Sequence, residues 1–209
     1  YSLSPDIMPI KVDKEYLKTP IIPFDAAEKA HIPVWITEIS DVTPLDTSIQ
    51  DGLKWAVTFH NYLTKANVNA IIWWGGAMPT SNNESLIILN KNRKDYTLSK
   101  RYDILGNYSR YISEGSTRIQ VTQPKNKDLL VSAYKKNDKY ILVAINLSEK
   151  TISTNIRLDG ANIKGALKQF ITNKDNRWNK TNIVPVSNKY YNLTIPQFSI
   201  VTLVGKVHL

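Results

Sequence analysis

Glu38 has the setting in this chain that most invites chemistry. It ends the run Ile32-Pro33-Val34-Trp35-Ile36-Thr37-Glu38, a short apolar segment that stops abruptly in one carboxylate. A carboxylate at the C-terminal end of a parallel strand stands where barrel enzymes of the (β/α)₈ type keep their chemistry. Taken alone, Glu38 reads equally well as a solvated strand-end acid. Several other chemistries are closed off. The chain has no cysteine, so disulfides, thiol catalysis and thiolate-bound metals are excluded. Its three histidines, His31, His60 and His208, lie far apart without ligand spacing, and no metal site is expected.

The elements that must position Glu38 follow from the apolar pattern. Val34, Trp35 and Ile36 in succession, introduced by Pro33 where a missing N–H matters least, indicate a strand. Without clean alternation, that strand reads as buried on both faces, as in a parallel sheet covered by helices. Before it, residues 1–23 are irregular and carry Pro5, Pro9, Pro20 and Pro23, and Phe24–Ala30 is a short helix candidate. After it, a loop leads to a long amphipathic helix over Ser48–Ala66, with Ile49, Leu53, Ala56, Val57, Phe59 and Leu63 on one face. A second apolar strand, Ala70-Ile71-Ile72-Trp73-Trp74, ends at Gly75-Gly76. Strand, helix and strand at this spacing form a βαβ unit with parallel neighbours. A polar loop runs from Gly75 to Lys94, and a helix over Lys100–Ile112 turns Tyr102, Leu105, Tyr108, Tyr111 and Ile112 inward and closes at Glu114-Gly115.

From Ser116 the period changes to two. Candidate strands are 118–122, 129–135, 140–147, 151–158, 165–172, 189–195 and 199–204, separated by Asn- and Asp-rich turns. Regularly spaced short strands indicate an antiparallel β-sandwich or roll. The fold class is therefore α/β followed by all-β, with residues 1–115 as the α/β part and 116–209 as the β domain. The net charge of +9 would suit a polyanion. However, Lys and Arg are scattered among Asn, Asp and Ser, so neither a nucleic-acid partner nor, without a long apolar run, a membrane span is expected. The N-terminus has no basic segment followed by an apolar one and does not read as a signal peptide.

An ordered series of motifs then narrows the reading. Val34-Trp35-Ile36-Thr37-Glu38, Asn69-Ala70-Ile71-Ile72-Trp73-Trp74, Ser99-Lys100-Arg101-Tyr102 and Tyr108-Ser109-Arg110-Tyr111-Ile112 resemble glycoside hydrolase family 30. Leu130-Val131-Ser132-Ala133-Tyr134-Lys135, Ile141-Leu142-Val143-Ala144-Ile145-Asn146 and the closing Ser199-Ile200-Val201-Thr202-Leu203-Val204 resemble that family's side domain. The likeness is greatest to its xylanase branch. The resemblance implies a retaining glycosidase that needs no cofactor or metal and acts on xylan or glucuronoxylan. It implies the last two βα units of a (β/α)₈ TIM barrel followed by a β-sandwich side domain, with Glu38 as the nucleophile ending the seventh strand. Trp73 and Trp74 then end the eighth strand. An aromatic face can stack on a pyranose while burying apolar area. Alternation turns one of the two rings to the site, and Trp74 is the expected one. Glu84, in the following loop, is a candidate hydrogen-bond partner for a sugar hydroxyl, or an ordinary loop acid. Secretion is implied by a polymeric substrate.

The resemblance also marks departures. The family's acid/base is a glutamate after an asparagine on the fourth strand, and no Asn-Glu-Pro precedes Glu38; Asn83-Glu84 falls in the wrong place. Only 37 residues precede Glu38, whereas a full barrel takes about 250. The chain therefore looks like the C-terminal half of such an enzyme, inactive in isolation, and the N-terminal barrel half is a candidate partner chain. Where glucuronoxylan-specific members carry arginines and a tyrosine, this chain has Gly75-Gly76-Ala77-Met78-Pro79, which removes the bidentate anchor for an acidic branch. Arg93 or Lys94 are substitutes to consider, and Tyr96 and Tyr102 read as helix-flanking packing. The alternative reading is a non-catalytic remnant or a carbohydrate-binding β-sandwich module, with Trp178, Tyr190 and Tyr191 as candidate stacking residues. Asn83, Asn107, Asn146, Asn179 and Asn192 begin Asn-x-Ser/Thr sequons.

Overall fold

A computed structural model describes residues 21–206 apart from 22, 93, 158, 160–164 and 188–189. Most of the proline-bearing stretch, Arg93 and His208 therefore lie outside the described residues. The chain divides into two compact units, residues 1–102 and 103–209. Sheet predominates, with three helices among the described residues.

The first unit runs α1 (Asp25–Lys29), β1 (Trp35–Ile39), α2 (Ile49–Thr64), β2 (Ala70–Trp73), β3 (Ala77–Met78), β4 (Ile87–Leu89) and β5 (Tyr96–Leu98), then enters α3 (Lys100–Ser109). β1 and β2 pair in parallel, as the βαβ reading requires. Ser48 caps α2, its hydroxyl accepting from the Asp51 N–H at 3.4 Å. The helix is buried well beyond one stripe, with Leu53, Trp55 and Ala56 all fully covered.

β1 is not buried on both faces. Ile36 and Ile39 are covered, but Trp35 is 60% exposed and Thr37 and Glu38 face water. The reason is the extent of the sheet: among the described residues it holds β1 and β2 alone, and α2 covers a single face. The stretch 75–94 is likewise not all loop. β3 pairs in parallel with β4, and β4 pairs antiparallel with β5, so the apolar run Leu86-Ile87-Ile88-Leu89 becomes part of a small sheet. α3 stops at Ser109, short of Ile112, and Gly115 takes its left-handed φ of 79° in a separate turn.

The second unit holds the rest of α3 and the strands β6 (Thr117–Ile119), β7 (Leu129–Lys136), β8 (Lys139–Asn146), β9 (Ile152–Arg157), β10 (Leu167–Thr172), β11 (Asn179–Ile183), β12 (Pro185–Ser187), β13 (Tyr190–Ile195) and β14 (Ser199–Lys206). They form a six-stranded sheet, β11-β10-β14-β8-β7-β6, and a three-stranded sheet, β12-β13-β9. Every pairing in both is antiparallel. One apolar cluster joins them: Leu129, Ala144, Leu167, Val201 and Leu203 from the larger sheet meet Tyr191, Leu193 and Ile195 from the smaller. β11 and β12 escape period-two reading. β11 lies at the sheet edge with residues 179–182 exposed, so no apolar alternation marks it.

Buried polar groups tie this unit together. The Asn146 amide donates to the carbonyls of Lys150, Ile195 and Pro196 at 2.8, 3.1 and 2.9 Å. Asn107 of α3 donates to the Thr202 hydroxyl at 3.1 Å and accepts from the Thr172 hydroxyl at 2.7 Å. Trp178 is a packing residue here. Its indole edge rests on Gly106, its N–H donates to the Asp103 carbonyl at 2.8 Å, and the Arg110 guanidinium lies 4.2 Å from the ring centre. Tyr191 is buried in the core, whereas Tyr190 is 42% exposed.

Candidate active site

Glu38 and Trp74 emerge at the same end of the parallel pair. The Ile39 carbonyl, one residue beyond Glu38, accepts from the Trp74 N–H at 2.9 Å. The register shifts between Ile36 and Ile39, so Ile39 pairs with Trp73, and the local bulge falls across Thr37-Glu38. Bulges re-aim side chains, and strand ends beside active sites often carry them. Glu38 is exposed.

The two tryptophans take opposite roles. Trp73 is buried and meets Trp55 edge-on with ring centres 4.6 Å apart, and Phe59 at 6.5 Å. Trp74 is 51% exposed. Both indoles donate to Glu84: Trp73 to its carbonyl at 2.8 Å, Trp74 to its carboxylate at 3.1 Å. Glycine at position 75 permits this. Its φ is 82°, and an added Cβ would lie 2.5 Å from the Glu84 carbonyl oxygen. A side chain there would be both strained and in collision.

Beneath this surface lies a buried polar hub that reading by sequence pattern missed. Arg101 is fully buried and pairs with Asp51, donating also to the carbonyls of Asp46 at 2.7 Å and Ser85 at 3.2 Å. Lys54 bridges Asp41 at 3.1 Å. Asn83 stands at the centre. Its amide donates to Thr43 at 3.1 Å and to Asp41 and Asp51 at 3.4 Å each, and its carbonyl accepts from the Asp46 N–H at 2.6 Å. The hub therefore ties the loop after β1 to the loop between β3 and β4. Burial pushes the Asp51 carboxyl up to about 6, with Arg101 and Lys54 pulling against it. For Asp41, burial also pulls upward, but the Thr43 hydroxyl and N–H and the Lys54 ammonium outweigh it, holding the group below its ordinary value. In the sequence Asn83 stands out only in Asn83-Glu84 and as a sequon, and Arg101 only as part of a motif.

Comparison with known proteins gives the site its context. No protein-family model matches the chain. The chain is 26% identical over 180 residues to glucuronoxylanase XynC of Bacillus subtilis (strain 168), covering 82% of this chain and 39% of that protein. The chain resembles the family 30 xylanases. Its fold is shared with the glycoside hydrolase family 30 subfamily 8 xylanase Xyn30A from Clostridium acetobutylicum, at TM-score 0.76 and 23% identity over 90% of this chain and 46% of that one. A GH30 endoxylanase from Clostridium papyrosolvens C71 matches at TM-score 0.71 and 23% identity, over 88% and 45% of the two chains. The likeness is to the C-terminal region of such enzymes. The chain spans about two-fifths of the length of the curated relatives it matches.

Lys94 is exposed, and Tyr96 is 66% exposed on β5. Tyr96 therefore does not pack against a helix as its place before α3 suggests; β5 turns it outward. Tyr102 is half-buried.

Proposed function

We propose that this chain is the C-terminal portion of a secreted, retaining glycoside hydrolase that cleaves the β-1,4-xylan backbone, with Glu38 as nucleophile. One observation carries this reading: an exposed carboxylate and a half-exposed indole leave the same end of two hydrogen-bonded parallel strands. In this reading β1 and β2 are the seventh and eighth strands of a (β/α)₈ barrel, and the two facing sheets are a β-sandwich side domain. Glu38 attacks the anomeric carbon to form a glycosyl-enzyme. A second carboxyl about 5–5.5 Å away protonates the leaving oxygen and then activates the water that releases the sugar. That second group comes from barrel strands beyond this sequence. Trp74 supplies a stacking face beside the nucleophile, while Trp73 anchors the strand end to α2.

A purely sugar-binding second unit has less support. Trp178 is committed to α3 and Tyr191 to the core, leaving Tyr190 as the exposed ring of the three. The decisive test uses the polypeptide that carries the remaining barrel strands. There Glu38→Gln abolishes release of reducing sugar from xylan while circular dichroism stays unchanged; retained activity ends the nucleophile assignment. The 209-residue chain alone is expected to release none.

A further inference from the structure

The Glu84 carboxylate lies where a second carboxylate would be unwelcome. We infer that Glu84 sets the charge preference of this site, forming with Trp74 a platform for a neutral, hydroxyl-bearing sugar and disfavouring a sugar that carries a carboxylate. The inference deepens the glycan reading of Glu38 and Trp74 and rests on it.

Three features of the structure support it. One carboxylate oxygen of Glu84 accepts the Trp74 indole N–H at 3.1 Å, so the charge lies at the edge of the exposed ring. An ionised carboxylate offers about four lone-pair sites, which leaves acceptors for sugar hydroxyls beside the stacking face. The backbone that delivers this group is held by its neighbours. The Glu84 N–H donates to Asn82 Oδ1 at 3.0 Å, its carbonyl takes the Trp73 indole N–H at 2.8 Å, and Gly75 makes room for that carbonyl. The neighbouring Asn83 is only 2% exposed and is held by the hub below.

Local charge opposes global charge here. The chain carries +9, which by itself draws acidic polymers. At the edge of the Trp74 ring the charge shown is negative, the Glu84 carboxylate. Two carboxylates about 6 Å apart at a protein surface repel enough to change affinity by roughly tenfold at low salt, and screening removes most of that effect at high salt. Hydrogen bonding to neutral hydroxyls is far less sensitive to salt.

The test uses the polypeptide that carries the remaining barrel strands, in a Glu38→Gln form that binds sugar without cutting it, and titrates it with xylohexaose and with a xylo-oligosaccharide of the same length bearing one glucuronic acid branch, followed by tryptophan fluorescence at 20 and 500 mM NaCl. The neutral sugar is expected to bind about tenfold more tightly at low salt, with the gap closing at high salt. In Glu84→Gln the gap is expected to close at both. Equal binding of the two sugars to the parent, or a gap unchanged in Glu84→Gln, overturns the role of Glu84 and leaves the glycan site standing. If neither sugar binds, the glycan site falls and this inference with it. Should Glu84→Gln fold poorly, the salt dependence of the parent decides alone.

Discussion

Replacing Gly106 by alanine sets helix propensity against packing, and the two demand opposite signs. Gly106 lies inside α3, where alanine is favoured over glycine by about 1 kcal/mol. The site has no room for it. A Cβ at Gly106 would lie 2.3, 2.7 and 2.9 Å from the Cζ2, Cε2 and Nε1 atoms of Trp178. Ordinary contact requires the indole to retreat by about 1 Å. That retreat is resisted, because Trp178 donates to the Asp103 carbonyl, lies under Arg110, and sits on backbone already at φ 47°. Overpacking costs about 1–3 kcal/mol, the strained hydrogen bond about 1 and the guanidinium contact about 0.5–1. Set against the propensity gain, the expected net loss is about 2–3 kcal/mol. For a unit of this size that corresponds to a fall of roughly 10 °C in the melting temperature. The assay is thermal unfolding followed by circular dichroism. Repeating the substitution in a Trp178→Ala background removes the collision, and there alanine is expected to be neutral or stabilising. A Gly106→Ala chain as stable as its parent refutes the packing argument.

Other outcomes are also expected. The Asp51 carboxyl binds its proton near pH 6 in the folded chain against an ordinary value of 3.8, so its stabilising contribution is complete below about pH 4 and lost as the pH rises through 6. Asn cannot ionise, so Asp51→Asn should gain on its parent between pH 4 and pH 7, by on the order of 3 kcal/mol in denaturant unfolding. A disadvantage that instead grows over that range would mean that the Arg101 ion pair outweighs burial. In a glycosylating host, intact-mass and peptide mapping should find glycan on Asn179 and Asn192 alone. Asn83, Asn107 and Asn146 are at most 2% exposed and hydrogen-bonded, and a glycan on any of them in folded protein contradicts the fold described.

Much of the fold was legible because it depends on local pattern. The recurrence of Ile49, Leu53, Ala56 and Val57 marks α2, and Ser48 caps it where its side chain requires. Period two marks β7, β8, β13 and β14, since their alternate residues enter one shared core. The pattern misled where burial depends on what lies outside the segment. β1 reads as a strand covered on both faces, yet a two-stranded sheet leaves Trp35 in water. β11 shows no pattern, because an edge strand with exposed side chains needs none.

The sequence by itself determined that a carboxylate ends one apolar strand and a tryptophan pair ends the next, with a helix between them to make the strands parallel. It also carried enough ordered motifs to point to family 30. Only the tertiary structure decided which indole is buried and which is half open, because that depends on Trp55 and Phe59 of α2 lying under one face of the sheet. The place of Glu84 was decided the same way. It reaches Trp74 because Gly75 yields to its carbonyl and because Asn83 is gripped by Asp41, Thr43 and Asp51, residues 32 to 42 positions away in the chain. Contacts of that separation leave no periodic trace in a sequence, since each is made by one side chain finding one partner after the elements have packed.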